Sequence, residues 1–340
     1  MTLSPLNKRR LDNFKSNKRG WYSFLIFTFL FLVSIFADFI ANEKPLLIKY
    51  QNQIYLPIIN EYAETTFGGD FETEANYKDE YIEELILEKG WMVWPIIPFH
   101  YTTISQELNE PAPSKPSTKH WLGTDDTGRD VLARIIYGFR ISVLFGFALT
   151  ILSSVIGVAA GALQGFYGGK VDLIGQRFIE VWSGMPVLFI LIILANFIKP
   201  SFWTLLGIML LFSWMSLVDV VRAEFLRCRN LDYVKAAKAL GLSDYSIMSK
   251  PIFPNAMVAT LTFMPFILSG SVTTLTSLDF LGLGLPLGSA SLGELLAQGK
   301  NNLHAPWLAL SAFFTLGILL SLLTFIGEAV RNAFDPRSRG

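Results

Sequence analysis

The chain has 340 residues, of which 51% are hydrophobic, 14% aromatic and only 16% charged, with a formal net charge of zero. Soluble proteins carry about 25% charged residues; with a mean hydropathy of +0.42, the composition points to an integral membrane protein, and the absent charge bias gives no basis for a nucleic-acid partner. The single cysteine, Cys228, excludes an intrachain disulfide and any multi-cysteine metal site.

The chain opens with a basic cluster, Lys8, Arg9, Arg10, Lys15, Lys18 and Arg19, followed by an apolar run from Trp21 to Ala41 broken only by Asp38. Roughly 20 such residues cross a bilayer as a helix, and the basic flank places residues 1–20 in the cytoplasm. A cleaved signal peptide is the alternative, but it needs an apolar core of about 7–15 residues and a small-residue cleavage site, which Phe39 and Ala41 do not make. The stretch 42–137 is acidic, aromatic and proline-bearing, with no spanning run. Leu46–Tyr50 and Ile54–Ile58 can pair as a hairpin around Gln51–Gln53. A helix is expected from Asp79 to Lys89, capped by Asp79, with Ile82, Leu85 and Ile86 on one face and Gly90 as its stop. Pro111, Pro113 and Pro116 read as a stiff linker.

His120 to Gly146 contains Gly123, Asp125, Gly128, Arg129 and Asp130, a set that superficially suggests a phosphate or metal loop. No Lys-Ser/Thr pair follows as a P-loop requires, and Arg129 and Arg134 would neutralise the acids, so an internally paired structural loop is the better reading. A second span runs over Ile141–Leu163, rich in small residues that let helices pack closely. A turn follows at Tyr167–Gly169, then a third span over Ile174–Ile198. There Arg177 and Glu180 stand three apart, as a surface pair or, less simply, a proton relay. A fourth span covers Phe202–Val221.

The loop 222–255 is net basic and too polar to cross a membrane. Ala236, Ala237, Ala239 and Leu240 favour a short helix that Gly241 stops. Ser243 can cap a second helix whose end Pro251 limits. The small side chains of the first helix let another protein's surface approach closely. A fifth span begins near Ala256, and Thr262, Ser269, Thr273 and Thr276 share one of its faces at 100° per residue. Hydroxyls so placed either bond to backbone or line a polar path. Leu278–Trp307 forms a connection, Leu308–Gly327 a sixth span, and 328–340 a cytoplasmic tail.

The loop resembles the coupling loop of ABC-importer permeases, whose pattern is Glu-Ala-Ala, a Gly four residues after the second Ala, and an Ile-x-Leu-Pro ending. Ala236, Ala237, Gly241 and Pro254 match; Lys235, Pro251 and Phe253 stand where that family has Glu, Ile and Leu. The segment HWLGTDDTGRDVLARIIYGFRISVLFG resembles the lead into the second helix of dipeptide and oligopeptide permeases. So do LDFLGLGLPLGSASLGELLAQG and the terminal Asp335, Pro336 and Arg337. NEKPLLIKYQNQIYLP and YAETTFGG resemble the Yej-type oligopeptide and microcin C importers of Gram-negative bacteria.

The resemblance implies an all-α membrane protein with six transmembrane helices. Its divisions are a first helix at 21–41, a periplasmic insert at 42–137 and a MetI-like permease core at 138–327. It implies an inner-membrane location surrounded by lipid, with both termini cytoplasmic. The implied partners are a second homologous permease subunit, an ATPase with two nucleotide-binding domains and a periplasmic peptide-binding protein. The implied chain is non-catalytic and binds no cofactor or metal itself, ATP and Mg being held by the ATPase; no Walker A lysine motif occurs. The coupling residues would be Lys235, Ala236, Ala237, Gly241 and Pro254, with Thr262, Ser269, Thr273 and Thr276 as a candidate substrate path. Two other classes are open to a membrane chain of this composition. A secondary transporter uses intramembrane ionisable pairs and repeats, and no repeat is evident. A membrane enzyme needs a catalytic set, and His100, His120 and His304 show no metal-ligand spacing.

Overall fold

The computed structural model describes residues 5–106, 108, 110–195 and 197–334; Asp335, Pro336 and Arg337 lie outside them. In chain order the helices are α1 (Pro5–Ser16), α2 (Lys18–Ile35), α3 (Ala37–Ile40) and α4 (Glu80–Lys89), with β1 (Leu47–Tyr50) and β2 (Gln53–Tyr55) before α4 and β3 (Gly90–Val93) after it. Then come α5 (Val131–Tyr167), α6 (Gly169–Ser183), α7 (Val187–Ala195), α8 (Phe202–Ser213), α9 (Met215–Cys228), α10 (Asp232–Ala239), α11 (Asp244–Ile247), α12 (Phe253–Phe280), α13 (Leu292–Asn301) and α14 (Pro306–Phe334). Among the described residues, five helical stretches are long and apolar enough to cross a bilayer, and the bent pair α6–α7 brings the number to six if it counts as one span.

Several boundaries differ from the sequence expectation. The first span starts at Lys18 because Asn17 caps it, its Oδ1 accepting from the Gly20 amide at 3.2 Å. The second helix starts at Val131, ahead of the expected Ile141, because the Asp130 carboxylate accepts from the Ala133 amide at 2.8 Å and caps it. The third span is broken: α6 and α7 meet at 63° across Gly184, Met185 and Pro186, where proline cannot continue the hydrogen-bond ladder. The fourth runs on to Cys228. Pro251 does not end the second loop helix; Met248–Ile252 winds as a wider π-type turn that accommodates the missing amide and leads straight into α12. The last helix continues past Gly327 to Phe334, with Glu328 and Arg331 on its exposed side. The connection expected at 278–307 contains α13, capped by Ser291, whose Oγ accepts from the Gly293 and Glu294 amides.

The chain divides into two compact units. One comprises the part up to Thr28, Ser142–Pro286 and the part from Gly317. Here α5 lies against α9 along Gly157, Gly161 and Gly165; a Cβ on Gly161 would stand 2.7 Å from the Val218 carbonyl oxygen. Val158, Ala162, Val221, Phe225 and Cys228 are buried in that seam with Val234, Ile247 and Ile252 from the loop. A second cluster joins Phe145, Leu149, Leu205, Met209 and Leu275. Arg222 grips Asp172 with two nitrogens, Nη2 donating to Oδ2 at 2.7 Å.

The other unit comprises Phe29–Ile141 and Leu287–Leu316. Its hairpin turns at Gln51 and Asn52, both with positive φ (46° and 65°), the left-handed pair that a two-residue hairpin turn requires. The sheet order is β2-β1-β3, with β1 antiparallel to both neighbours. α4 is capped by Asp79, which accepts from the Tyr81 amide, and packs Ile82 and Ile86 onto Ile48, Tyr50, Phe67 and Tyr77. Among the described residues the fold is therefore mainly helical, with a small sheet between α3 and α5. Asp38 is answered in the same unit: Tyr137 donates to its Oδ1 and Arg140 to its Oδ2, each at 2.8 Å.

Candidate functional site

Two places gather the residues singled out in the sequence, one in each unit. In the first unit, α10 ends in a left-handed cap. Gly241 has φ 79°; its amide donates to the Lys238 carbonyl at 3.0 Å and the Leu242 amide to the Ala237 carbonyl at 3.2 Å. This is the Schellman pairing, in which a glycine satisfies the last carbonyls of a helix. Ser243 then caps α11, its Oγ accepting from the Ser246 amide at 3.4 Å. Val234 and Ile247 are buried and clamp the two short helices onto α9 and α12. Asn255 donates from Nδ2 to the Tyr233 hydroxyl at 3.3 Å and the Pro251 carbonyl at 3.2 Å.

The structure separates the five loop positions. Lys235, Ala236, Gly241 and Pro254 are exposed, whereas Ala237 is half-buried and packs inward against the Val221–Phe225 cluster. Lys235 stands 3.7 Å from Asp232 on the same exposed helix face. Space around Gly241 is open, with nothing within 4 Å of a Cβ built there, so backbone conformation and not crowding selects glycine. The sequence reading missed Leu240 and Tyr245. Both are 81% exposed, and they set large apolar groups outward on a polar loop. An apolar residue next to a helix stop is ordinary in sequence; only its outward direction makes it notable.

The hydroxyl face of α12 is engaged with its own backbone. Thr262 donates to Ala259 at 2.6 Å, Ser269 to Pro265 at 3.1 Å, Thr273 to Ser269 at 2.9 Å and Thr276 to Val272 at 2.9 Å. Thr273 is exposed, Thr262 and Ser269 are half-buried, and Thr276 is buried. Arg177 and Glu180 pair at 2.6 Å on an exposed face.

In the second unit, the loop before α5 closes on itself around buried charge. Asp125 and Arg134 have fully buried side chains. Asp125 Oδ2 receives Arg129 Nε at 2.7 Å and faces Arg134 Nη1 at 3.1 Å. Its Oδ1 accepts from the amides of Thr127 and Arg129 at 3.0 and 2.9 Å. Glu294, from α13, meets Arg129 Nη2 at 3.3 Å and Arg134 Nη2 at 3.1 Å. Arg134 Nη2 also donates to the Ser289 carbonyl at 2.8 Å. Two guanidinium groups and two carboxylates thus neutralise one another, which a buried charge requires. Asp130 pairs with His120 Nδ1 at 2.8 Å while capping α5. Gly123 and Gly128 take φ of 74° and 86° in the turns that let the loop fold back. The sequence contains Glu294 far downstream, and nothing local marks it as the fourth member. Burial pushes the His100 imidazole below its ordinary pKa, partly offset by Glu43 and Asp38, which favours its neutral form.

Residues 153–340 match the family described as the binding-protein-dependent transport system inner membrane component, and residues 5–57 match the N-terminal transmembrane domain of oligopeptide transport permease C. The chain is 61% identical over 334 residues to the inner membrane ABC transporter permease protein YejE of Escherichia coli K12, covering 98% of each. It is 55% identical over 358 residues to the peptidoglycan transport system permease protein YejE of Agrobacterium fabrum, covering 98% of this chain and 94% of the relative. It is 35% identical over 226 residues to the oligopeptide transport system permease protein OppC of Lactococcus lactis subsp. cremoris, covering 65% and 76%. With its several apolar spans, its exposed helix pair between two of them and these matches, the chain belongs to the family of binding-protein-dependent transport system inner membrane components and is a multi-pass ABC permease subunit.

Proposed function

We propose that this permease carries peptide-bearing cargo inward, as one of two homologous membrane subunits driven by a partner ATPase with two nucleotide-binding domains and supplied by a periplasmic binding protein. The observation that carries the reading is the exposed pair α10–α11, a rigidly capped, small-residue platform flanked by outward Leu240 and Tyr245. In this reading ATP and Mg stay on the ATPase, this chain performs no chemistry, and both of its ends and the α10–α11 loop lie on the cytoplasmic side with the insert opposite. ATP binding closes the ATPase pair and moves the docked helices as rigid bodies. Taking the gate from about 1:99 to 99:1 requires roughly 5.5 kcal/mol of preference for one state.

The cargo assignment rests on the oligopeptide permeases among the relatives and on the YejE protein of Agrobacterium fabrum, whose name specifies peptidoglycan. A peptide stem is common to both cargo types, and its amides need polar partners along the path. In this reading the oxygens of Thr273, Ser269 and Thr262, whose protons go to their own helix, would accept from those amides. The test is uptake by a strain lacking this permease, restored with the chain, offered linear oligopeptides including microcin C-like ones and, separately, peptidoglycan fragments. Restoration for either supports peptide-bearing cargo; restoration for neither refutes it.

A further inference from the structure

We infer that α1 is a binding surface for the headgroups of anionic phospholipids in the leaflet beside it. The inference rests on how α1 is held and on which charges it turns outward. Phe14 meets Trp21 and Phe24 edge-on, with ring centroids 6.1 and 6.0 Å apart, so the end of α1 rests on the start of α2. The Arg10 guanidinium stacks over Phe334, the last described residue of α14, 4.5 Å from the ring centroid. At this end α2 and α14 touch so closely that a Cβ on Gly20 would overlap that of Ala329. α1 is thus pinned across the ends of two membrane-spanning helices. Aromatic rings at such ends sit at headgroup level, and a helix resting on them is held in the same layer.

At 100° per residue, Arg10 and Phe14 fall on one side of α1 and Lys8, Asp12 and Lys15 on the other, with Arg9 at its edge. Lys8, Arg9 and Lys15 are exposed, Lys15 with its ammonium 5.5 Å from the Trp21 ring centroid, and so are Lys18 and Arg19 in the first turn of α2; Asp12 is the one acid among them. The whole chain has no net charge, so this excess is local. Below it, Tyr22 and Leu25 of α2 are 60% and 43% exposed, an apolar wall continuous with the basic layer. Cations above an apolar wall match a phospholipid, phosphate above acyl chain. A soluble polyanion would have no use for the wall.

The test uses the purified full-length chain in phosphatidylcholine bilayers containing trace spin-labelled phosphatidylglycerol or phosphatidylcholine, and reads the relative association of the two lipids with the protein boundary. Each cation near an anionic surface contributes about fivefold to partitioning, reduced here by Asp12. The intact chain should prefer phosphatidylglycerol severalfold, less at high salt. The triple variant Lys8→Gln, Arg9→Gln, Lys15→Gln should lose that preference, while Lys8→Arg with Lys15→Arg should keep it. All these side chains are exposed, and the one contact among them, Lys15 over the Trp21 ring, is kept by Lys15→Arg, so the conservative variant separates loss of charge from loss of packing. Equal association of both lipids with the intact chain, or an undiminished preference in the triple variant, overturns the inference. So does displacement of phosphatidylglycerol by inorganic phosphate beyond the effect of chloride at matched ionic strength, which would assign the surface to a soluble anion.

Discussion

Asp125 shows how one side chain can carry several demands. It is fully buried, answers both Arg129 and Arg134, and accepts two backbone amides. Removing one partner of a buried ion pair costs about 3–5 kcal/mol because the other charge is left uncompensated. Asp125→Ala should therefore cost about that much, read as a lower thermal midpoint in detergent and less mature protein in the membrane. Glu294→Gln should cost clearly less, since its carboxylate is partly exposed and Asp125 still answers both arginines. Equal losses in the two variants would mean that the four groups do not share the burden this way. At Gly241 the issue is backbone handedness. With φ at 79° and open space around it, a β-carbon costs about 1–2 kcal/mol through conformation alone. Gly241→Val should therefore cut uptake at matched abundance, while Gly241→Asn, which tolerates this conformation, should retain most of it. Similar uptake by both would remove the cap from the mechanism.

At the scale of elements, α10 separates docking from folding. Ala236 points outward and Ala237 inward. Ala236→Arg should leave the chain inserted but weaken ATPase co-purification and transport, whereas Ala237→Arg should lower abundance by prising α10 off its cluster. Lys235→Glu should be nearly silent, its cation lying in solvent near Asp232. Full ATPase binding by Ala236→Arg would discard the docking surface. The seam between α5 and α9 is a second such element. Gly157, Gly161 and Gly165 recur every four residues on one side of α5, and each faces a carbonyl of the neighbouring helix. Close approach of backbones is the means by which membrane helices associate when lipid is as apolar as they are. Gly161→Leu should separate the pair and abolish assembled complex on native gels, and Gly161→Ala should weaken it in the same direction, because even a methyl would stand 2.7 Å from the Val218 carbonyl oxygen, a backbone atom that has to shift. Wild-type assembly of Gly161→Leu would show that the seam opens without cost.

For the whole molecule, the proposed orientation predicts opposite labelling of two exposed positions. A cysteine at Glu74 should react with an impermeant thiol reagent in intact spheroplasts and one at Lys238 should not; Cys228 is buried and silent. The reverse pattern would invert the topology. The apolar spans, the helix capped by Asp79, a hairpin around Gln51–Gln53 and the two-helix loop were legible in the sequence because each depends on neighbours within a few residues: hydropathy, caps and handedness are local properties; the second strand of that hairpin, expected over Ile54–Ile58, runs instead over Gln53–Tyr55. The same locality explains the errors. The polar first turns of α5 and the last turns of α14 read as loop because nothing nearby shows what satisfies or solvates them. Pro251 read as a stop because a π-type turn is a response to surrounding packing. The strand β3 pairs with β1 across some forty residues, and its short run Gly90–Val93 has no periodicity of its own. Only the tertiary structure brought Glu294 to Arg129, 165 residues away. It alone turned Ala237 in and Leu240 out and laid α1 across the ends of α2 and α14. Long-range charge neutralisation and side-chain direction depend on which distant surfaces meet, and no local pattern in a chain encodes that meeting by itself.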